Sequence, residues 1–344
     1  MSNEIALRPL TVPEDYEGLA ALLNAFWSEP VTAQRLEEDD AHLFEVGDTY
    51  MDGNGLLAGY DRTRYVAVTA ENRIVGYVWS WRAPWTEPGY LNNTIIVEET
   101  YRGRGIGERL LKHALQWGEQ LGASMMVSEI WDDNPEARTF VERRGFKIER
   151  HSFQSVLELA DARPDLLGET QLFEELAREG IRFATLAEVG ATEENERKLY
   201  EVFSETARDI PGFTGEVPNI DDWRKWYFQV EGYTPKCVLL ALNEEDQCVA
   251  VSNIPYKTAT NGMYHEYTGV RLDYRGRKIA RALKIRAVQL AKQLGASYLK
   301  TDNDSHNLPI LRINRSLGYV PLRGSYRIVA ELQTVKEAIS DNRE

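Results

Sequence analysis

The chain has 344 residues, of which 27% are charged and 43% hydrophobic, a balance typical of soluble globular proteins. At roughly 100–200 residues per domain, this length predicts two domains. The net charge of −14 argues against a nucleic-acid-binding protein, because such proteins displace phosphate counterions with a basic surface.

The sequence also lacks the patterns of membrane, secreted and metal-binding proteins. It contains no run of about 18 apolar residues that predicts a membrane span, and residues 1–20 do not resemble a signal peptide. Two cysteines, Cys237 and Cys248, are too few for a disulfide framework, and no Cys/His cluster has metal-ligand spacing. We therefore expect a cytoplasmic protein with no bound metal, no membrane partner and no nucleic-acid partner.

The elements predicted for the first half alternate between strands and helices. Strands are expected at Tyr65–Thr69 and Ile74–Ser80, and a third strand, Leu91–Val97, runs into an Arg-Gly-Arg loop. A helix follows the loop, because apolar residues recur there on one helical face: Ile106, Leu110, Leu111, Ala114, Leu115 and Leu121. A strand, a short helix ending at Gly145 and a last strand complete the predicted pattern.

The second half repeats this pattern at an offset of 173 residues. Residues 97–146 align without a gap to residues 270–319, and about a third of these 50 positions are identical. A repeat this long predicts two domains of one fold rather than a solenoid of short units. The expected fold class is therefore α/β with a mixed sheet (α+β) in each domain.

The predicted domain boundaries follow from this repeat. We place the domains at residues 1–160 and 181–335. The linker between them, residues 161–180, begins with a turn that contains proline and ends in a short amphipathic helix. Residues 336–344 are expected to form a polar tail that frays.

A phosphate-binding loop is predicted in each half, between a strand and a helix. The first N–H groups of a helix have no backbone partner, and the helix dipole places partial positive charge there. Glycine allows close approach of the main chain, and arginines add charged donors. The two loops consist of Arg102, Gly103, Arg104, Gly105, Ile106 and Gly107 in the first half, and of Arg275, Gly276, Arg277, Lys278, Ile279 and Ala280 in the second.

Three known phosphate-binding motifs contain a glycine-rich loop between a strand and a helix. A P-loop ends in Gly-Lys-Ser/Thr, which neither loop contains. The dinucleotide fingerprint needs G-x-G-x-x-G, and the glycines at 103, 105 and 107 have a different spacing. The first loop matches fully the third motif, Arg/Gln-x-x-Gly-x-Gly/Ala of acetyltransferases, so a pair of nucleotide-binding domains is disfavoured.

On these loops, the helix after each, and the closing Gly-Phe or Gly-Tyr, the chain resembles tandem GNAT acyl-CoA N-acyltransferases, including mycothiol-synthase-like proteins. The resemblance covers nearly the whole chain. It implies that the loop amides bind the pyrophosphate of acetyl-CoA. It further implies that the pantetheine arm lies along the preceding strand and beside an asparagine. The residues that match those positions are Ile95, Val97 and Asn134 in the first half, and Thr268, Val270 and Asn307 in the second.

The second loop departs from the family pattern at two positions. Lys278 stands where the glycine belongs, and Ala280 replaces the last glycine, where alanine is allowed. Lys278 can still offer its N–H if its backbone is right-handed and helical. Coenzyme binding by both halves therefore stays an open expectation.

The resemblance also suggests where to seek the catalytic groups. Many members use a glutamate on the strand before the loop as base, and Glu266 matches this position, whereas the first half has Asn93. By strand alternation Tyr264, Glu266 and Thr268 share one face and His265 points to the other. The tyrosine that often serves as acid is replaced by Val141 and by Asn314, which is expected to hydrogen-bond coenzyme or acceptor. We therefore expect the second half to be catalytic.

The acceptor is predicted to be the amine of a small molecule, and a cationic amine is one candidate. Asp209, Asp221 and Asp222 are candidates to attract it, and Trp223 or Trp226 to stack on it. The alternative for this segment is a capped helix, Asn219 through Trp226, with buried aromatics. Two other functions stay open: a protein or peptide acetyltransferase, and a non-catalytic acyl-CoA sensor.

Overall fold

A computed structural model of the protein describes residues 5–26, 31–43, 45–160, 162, 169–211, 213, 217–229 and 231–341. The chain divides into two compact units. Unit 1 consists of Met1–Glu149 with Ser325–Glu344, and unit 2 of Arg150–Gly324. Within the described residues, no helix is both long and apolar enough to cross a membrane.

The elements in the first part of the chain alternate as the sequence predicted. In chain order they are β1 (Ala6–Pro9), α1 (Tyr16–Leu23), α2 (Ala33–Asp40), β2 (Asp48–Met51), β3 (Leu57–Val68), β4 (Ile74–Arg82), β5 (Tyr90–Val97), α3 (Ile106–Leu121), β6 (Met125–Trp131) and α4 (Pro135–Glu142).

The elements that follow repeat this order with additions. They are β7 (Lys147–Glu158), α5 (Glu169–Arg178), β8 (Arg182–Thr185), α6 (Leu186–Val189), α7 (Glu193–Thr206), α8 (Ile220–Phe228), β9 (Val238–Leu242), β10 (Cys248–Asn253), β11 (Tyr256–Lys257), β12 (Gly262–His265), β13 (Tyr267–Val270), α9 (Ile279–Gln293), β14 (Tyr298–Asp304), α10 (Leu308–Leu317), β15 (Val320–Glu331) and α11 (Leu332–Asp341).

Unit 1 is built on a mixed sheet with the strand order β1-β3-β4-β5-β6-β15, and β2 pairs with the far end of β3. The β5–β6 pair is parallel, and the other pairs in this unit are antiparallel. Helix α3 covers one face of the sheet through Leu110, Leu111 and Ala114, each at most 2% exposed. This amphipathic packing explains why the spacing of apolar residues predicted α3 correctly.

Unit 2 contains two sheets. One has the order β13-β10-β9-β8 and is antiparallel, and the other runs β7-β14-β12-β11 with a parallel β12–β14 pair. The buried residues Ile279, Ala282, Leu283 and Ala287 of α9 belong to a core with strands β9 and β10. The mixed α/β fold expected for each repeat is therefore confirmed.

The closing strand of each repeat belongs to the unit of the other repeat. Residues Ser152–Glu158 of β7 pair with β14 in unit 2, and Ser325–Glu331 of β15 pair with β6 in unit 1. The compact units therefore differ from the predicted domains 1–160 and 181–335 in where these strands belong. Because both repeats end in equivalent strands, either strand can form the same pairing, as in domain swapping.

The structure changes the prediction for the C-terminus and supports that for the linker helix. Residues Leu332–Asp341 form α11, with Val335 and Ile339 buried against the unit 1 core. The prediction of a frayed tail is therefore wrong for residues 336–341.

The amphipathic helix expected at the end of the linker is α5, whose Leu172 and Leu176 are buried in unit 2. Residues 161, 163–168 and 342–344 lie outside the described residues.

Candidate functional site

The predicted coenzyme loop of unit 1 joins β5 to α3 and has two glycines in the left-handed conformation. Gly103 and Gly105 have φ angles of +70° and +75°, and among the described residues, their chain neighbours aside, no heavy atom lies within 4 Å of a Cβ built on either one. No side chain caps α3 at Gly105. The first N–H groups of α3 therefore remain available to an anion, as the phosphate prediction requires.

Unit 2 keeps this loop backbone although its sequence differs. Gly276 has a φ of +77°, and Lys278, at the position of Gly105, has a φ of +64°. The right-handed backbone considered for Lys278 is therefore not present. A non-glycine residue in the left-handed region costs on the order of 1 kcal/mol, so unit 2 holds the loop shape against local strain. No side chain caps α9 at this residue either.

The first arginine of each loop is fixed in the same way in both units. Its Nε donates to the carbonyl of the last residue of the preceding strand, at 3.3 Å for Arg102 and 3.0 Å for Arg275. The terminal nitrogens form ion pairs, Arg102 with Glu136 and Arg275 with Asp209. These contacts hold the guanidinium groups beside the open loop.

The other basic residues of the two loops, Arg104 in unit 1 and Arg277 and Lys278 in unit 2, differ in whether an acidic side chain lies beside them. Arg104 donates to a backbone carbonyl at 3.0 Å and lies over an aromatic ring. In unit 2, Arg277 pairs with Glu179 at 2.7 Å, and Lys278 lies 3.8 Å from Glu175. Both acidic residues belong to the linker helix or its end. The unit 2 loop is therefore closer to charge neutrality than the unit 1 loop.

In both units the strand before the loop separates from its parallel neighbour. Strand β5 pairs with β6 only from Tyr90 to Asn93, although it runs on to Val97 beside β4. In unit 2, β12 pairs with β14 through His265, and the chain continues from Tyr267 as β13 in the other sheet. Each separation leaves backbone groups without a strand partner among the described residues, which suits an amide-containing arm.

The side chains predicted to line the arm lie at these separated strand ends. Ile95, Val97, Thr268 and Val270 are each half-buried. The side chains of Ile106 and Ile279 are buried in the cores, so in each loop only the backbone of this residue can meet a ligand.

The two asparagines predicted to lie beside the arm cap short helices. Asn134 Oδ1 accepts from the Ala137 N–H at 2.9 Å, and Asn307 Oδ1 accepts from the Ile310 N–H at 3.4 Å. The cap uses the oxygen of each side chain, so the side-chain NH₂ is the group that can donate to a ligand.

The candidate base Glu266 lies between β12 and β13, where the chain passes from one sheet to the other. Its N–H donates to the Asn253 carbonyl at 3.0 Å, and its side chain is exposed. The pKa of its carboxyl is raised, first by partial desolvation and also by Asp302, while Lys257 opposes the rise. An accessible carboxylate with a raised pKa is suited to accept a proton.

Strand alternation is broken at Glu266. His265 Nδ1 and Thr268 Oγ1 both contact Ser252 Oγ, at 3.4 Å and 2.9 Å. In a regular strand these two residues would point to opposite faces, since they are three positions apart. The prediction that His265 points to the face opposite Thr268 is therefore wrong, because the irregular backbone between the two strands resets the alternation.

The equivalent residue in unit 1, Asn93, is 5% exposed and fully engaged in hydrogen bonds. Its Oδ1 accepts from Ser80 Oγ at 2.7 Å, and its Nδ2 donates to the carbonyls of Leu91 and Val127 at 3.0 Å and 3.2 Å. An amide cannot act as a base at neutral pH, and this one is buried. Unit 1 therefore offers no proton acceptor at this position.

Asn314, the second predicted catalytic residue, is only 2% exposed. Its Nδ2 donates to Asn303 Oδ1 at 2.9 Å, and Asn303 in turn donates to Ser155 Oγ at 2.9 Å. Asn314 Oδ1 is buried without a hydrogen-bond partner among the described residues. Asn314 thus connects α10 to β14, and its Oδ1 is open to a ligand.

A buried polar cluster next to Glu266 was missed by the sequence analysis. His265 Nε2 lies 2.9 Å from the Tyr319 hydroxyl, and Lys284 Nζ lies 5.5 Å above the Tyr319 ring. All three residues are at most 4% exposed. Burial lowers the pKa of Lys284 to about 7, and burial together with Lys284 lowers the pKa of His265 well below its usual value.

The repeat itself held the signal for this cluster. Lys284 and Tyr319 align with Leu111 and Phe146, both of which are buried in the apolar core of unit 1. A buried lysine at a position that is apolar in the sister repeat lowers the stability of the folded unit 2, because an amine is costly to remove from water. Local departures of this kind are expected at functional sites.

The segment predicted to bind the acceptor folds as the alternative prediction described. Asn219 caps α8 with its side chain, and Trp223 is fully buried. Asp222 pairs with a lysine of the same helix, and Asp209 pairs with the first loop arginine of unit 2. The side chain of Trp226 lies outside the described residues. The aspartates therefore serve the helix and the loop.

Two loops of this geometry, each at the end of a separated strand, define a tandem protein of the acyl-CoA-dependent transferase class. The family model "Acetyltransferase (GNAT) family" matches residues 19–146 and 197–319. The chain therefore belongs to the GNAT acetyltransferase family and is an acyltransferase, with one match in each repeat.

Comparison with individual proteins agrees with this assignment. The chain is 33% identical over 131 residues to N-alpha-acetyltransferase RimI of Mycobacterium tuberculosis (strain ATCC 25618 / H37Rv). The aligned region covers 35% of this chain and 80% of that protein. Among solved structures, a GCN5-related N-acetyltransferase from Sphaerobacter thermophilus has a TM-score of 0.62 at 19% identity, covering 95% and 96% of the two chains. A tandem GNAT protein from the clavulanic acid biosynthesis pathway has a TM-score of 0.57 at 15% identity, covering 96% and 99%. The two structures show the shared fold.

Proposed function

We propose that the protein transfers an acetyl group from acetyl-CoA to the primary amine of a small molecule, and that unit 2 carries out the reaction. The contrast between Glu266 and Asn93 carries this proposal. Glu266 is an exposed carboxylate where its strand leaves the sheet, whereas Asn93 is a buried amide at the equivalent place. Only unit 2 thus offers a base at this position.

Acetyl-CoA would be held by the backbone at the loops. The amides of residues 103–107 in unit 1 and 276–280 in unit 2 would bind the pyrophosphate, with the first arginine of each loop alongside. The pantetheine arm would hydrogen-bond to the open edge of the preceding strand. The thioester would then lie near the strand separation, which in unit 2 is the position of Glu266.

The chemical step requires an uncharged amine. Glu266 would remove the proton from the acceptor ammonium, directly or through a water molecule. The amine nitrogen then attacks the thioester carbonyl, a C–N bond forms, and the C–S bond breaks to release CoA, whose thiolate takes up the proton that the nitrogen loses on becoming an amide. A thiol has an ordinary pKa of about 8.5, so the thiolate can leave without the acid that Asn314 does not supply.

The acceptor proposed is a cationic amine, because the groups around Glu266 include a second carboxylate. Asp302 is exposed, accepts from the Tyr264 hydroxyl and acts electrostatically on Glu266. A second candidate acceptor, the N-terminal amine of a protein, is supported by the 33% identity to RimI. Peptide acceptors therefore belong in the same assay.

Steady-state release of CoA, measured against a panel of small amines and short peptides, tests the proposal. Glu266→Gln should lower kcat at least about a hundredfold, the lower range for general-base catalysis, while the Kd for acetyl-CoA stays unchanged. The matched control is Glu129→Gln, an exposed strand carboxylate of unit 1, which should keep full activity. Acetyl-CoA binding without turnover of any amine would instead support a non-catalytic sensor.

A further inference from the structure

Lys257 occupies an unusual place for a lysine on an edge strand. It lies on β11 opposite Gly262 of β12, and its ammonium sits 5.3 Å from the centre of the Tyr264 ring. The residue is half-buried, and it has no carboxylate within ion-pair distance among the described residues. The lysine is therefore held by an aromatic face rather than by a counter-ion.

The same region holds the candidate base. Lys257 acts electrostatically on Glu266, where it opposes the effect of Asp302. The Tyr264 hydroxyl donates to Asp302, which fixes the ring beneath the ammonium. Lys257 is thus a primary amine on an aromatic platform, within electrostatic range of a proton acceptor. These are the features that the proposed function requires of an acceptor.

Lys300 provides a comparison within the same unit. Its ammonium lies 5.2 Å from the centre of the Tyr298 ring, nearly the distance found for Lys257. Lys257 and Asp302 are the charged groups that perturb Glu266, and Lys300 is not one of them. Each of the two lysines therefore lies over its own tyrosine ring, and the two differ in their relation to Glu266.

We propose that Lys257 is an internal acceptor, which unit 2 acetylates with acetyl-CoA. This inference rests on the proposed function of Glu266. Lys257 Nζ gives one proton to Glu266 through a bridging water molecule, and the neutral amine attacks the thioester carbonyl. The new bond joins Nζ to the acetyl carbon, the C–S bond breaks, and the second proton of the nitrogen passes to the departing sulfur, so that CoA leaves as the thiol.

Acetylation of Lys257 would change the site in two ways. It removes the positive charge that opposes the raised pKa of Glu266, so the acid limb of the pH–rate profile should move to higher pH. It also weakens the cation–π contact, which frees the Tyr264 ring for an ammonium acceptor. The modification would therefore regulate the unit 2 site.

The test is incubation of the full chain with acetyl-CoA, followed by peptide mass spectrometry. Lys257 should be acetylated at least tenfold more than Lys300, and Glu266→Gln should abolish that excess and leave the slow modification of Lys300 unchanged. Equal modification of the two lysines, or an excess at Lys257 that survives Glu266→Gln, overturns the inference.

A parallel assay with external amines separates the two proposals. If the wild-type protein acetylates an external amine in a Glu266-dependent way while Lys257 stays unmodified, self-acetylation is refuted and the proposed function stands. If neither reaction occurs in folded protein that binds acetyl-CoA, both proposals fail. Lys257→Arg keeps the charge and the aromatic contact but cannot be acetylated at this position. In this variant the acetylated peptide should be absent, and incubation with acetyl-CoA should no longer shift the acid limb of the pH–rate profile.

Discussion

Burial of the Lys284 amine allows a quantitative prediction of how the free energy of unfolding depends on pH. Its pKa falls from the ordinary 10.5 to about 7 because the residue is fully buried. At 1.36 kcal/mol per pKa unit, this difference corresponds to about 5 kcal/mol, as an order-of-magnitude upper value. The groups that face the amine are the Tyr319 ring and His265, and neither supplies a negative charge.

The sign of the pH dependence follows from proton binding. Between pH 7 and 10.5 the unfolded chain keeps the Lys284 proton and the folded chain does not. The unfolded state therefore binds more protons, and the free energy of unfolding rises with pH across this window. His265 has a lowered pKa as well. Its effect on the free energy of unfolding therefore begins only below its ordinary pKa of about 6.5, where the unfolded chain binds a proton and the folded chain does not. That range lies outside the window from pH 7 to 10.5.

Lys284→Leu, which copies Leu111 of the sister repeat, should raise the free energy of unfolding at pH 7 by at least about 2 kcal/mol, since it removes the buried amine and adds apolar burial. The measurement is denaturant unfolding at pH 7, 8.5 and 10. The variant should lose most of the wild-type increase with pH, whereas Lys236→Leu, at an exposed position, should keep it. An unchanged stability and slope in Lys284→Leu would refute the reasoning.

Three further predictions concern the loops and the base. Lys278→Gly should stabilise the protein by about 1 kcal/mol, because glycine adopts a positive φ without strain; a lower unfolding midpoint would contradict this. Glu179→Gln should tighten acetyl-CoA binding by unit 2 about threefold, the range for one exposed ion pair, by freeing Arg277 for a phosphate. Calorimetry at low salt should show this, and high salt should reduce it. The rate should fall as the pH drops through the raised pKa of Glu266; a limb at the ordinary glutamate value would show that Glu266 is not the base.

The sequence predicted the parts of the fold that repeat patterns and glycines determine. The apolar face of α3 and the strands before the loops have the predicted structure, and the glycines at 103 and 105 lie in the turn between strand and helix. These features depend on local periodicity and on backbone conformation, both of which are encoded within a few neighbouring residues.

Other features could not be derived because they depend on tertiary context. Equivalent closing strands made it impossible to tell which unit β7 or β15 would join. The tail helix α11 is held by burial of Val335 and Ile339, which a reading of its overall polarity overlooked. The backbone break at Glu266 shifted Thr268 to the His265 side, and strand alternation alone cannot foresee such a break.

The candidate site shows the same division. Its loop residues lie together because the motif is contiguous in sequence, and their part in coenzyme binding stays a prediction. The counter-charges from Glu175 and Glu179, and the cluster of His265, Lys284 and Tyr319, come from elements far apart in the chain. Charged and buried polar contacts of this kind depend on packing, although the comparison of Lys284 with its apolar sister position was available from the repeat.

The central claim is that acetyl transfer takes place in unit 2, and comparison of turnover in two loop variants tests it most directly. Ala280→Glu places a negative charge at the unit 2 loop, and Gly105→Glu does so at the unit 1 loop. With acetyl-CoA and a responsive amine, Ala280→Glu should abolish CoA release while Gly105→Glu retains it. Loss of turnover in Gly105→Glu with full activity in Ala280→Glu would place the reaction in unit 1 and contradict the account.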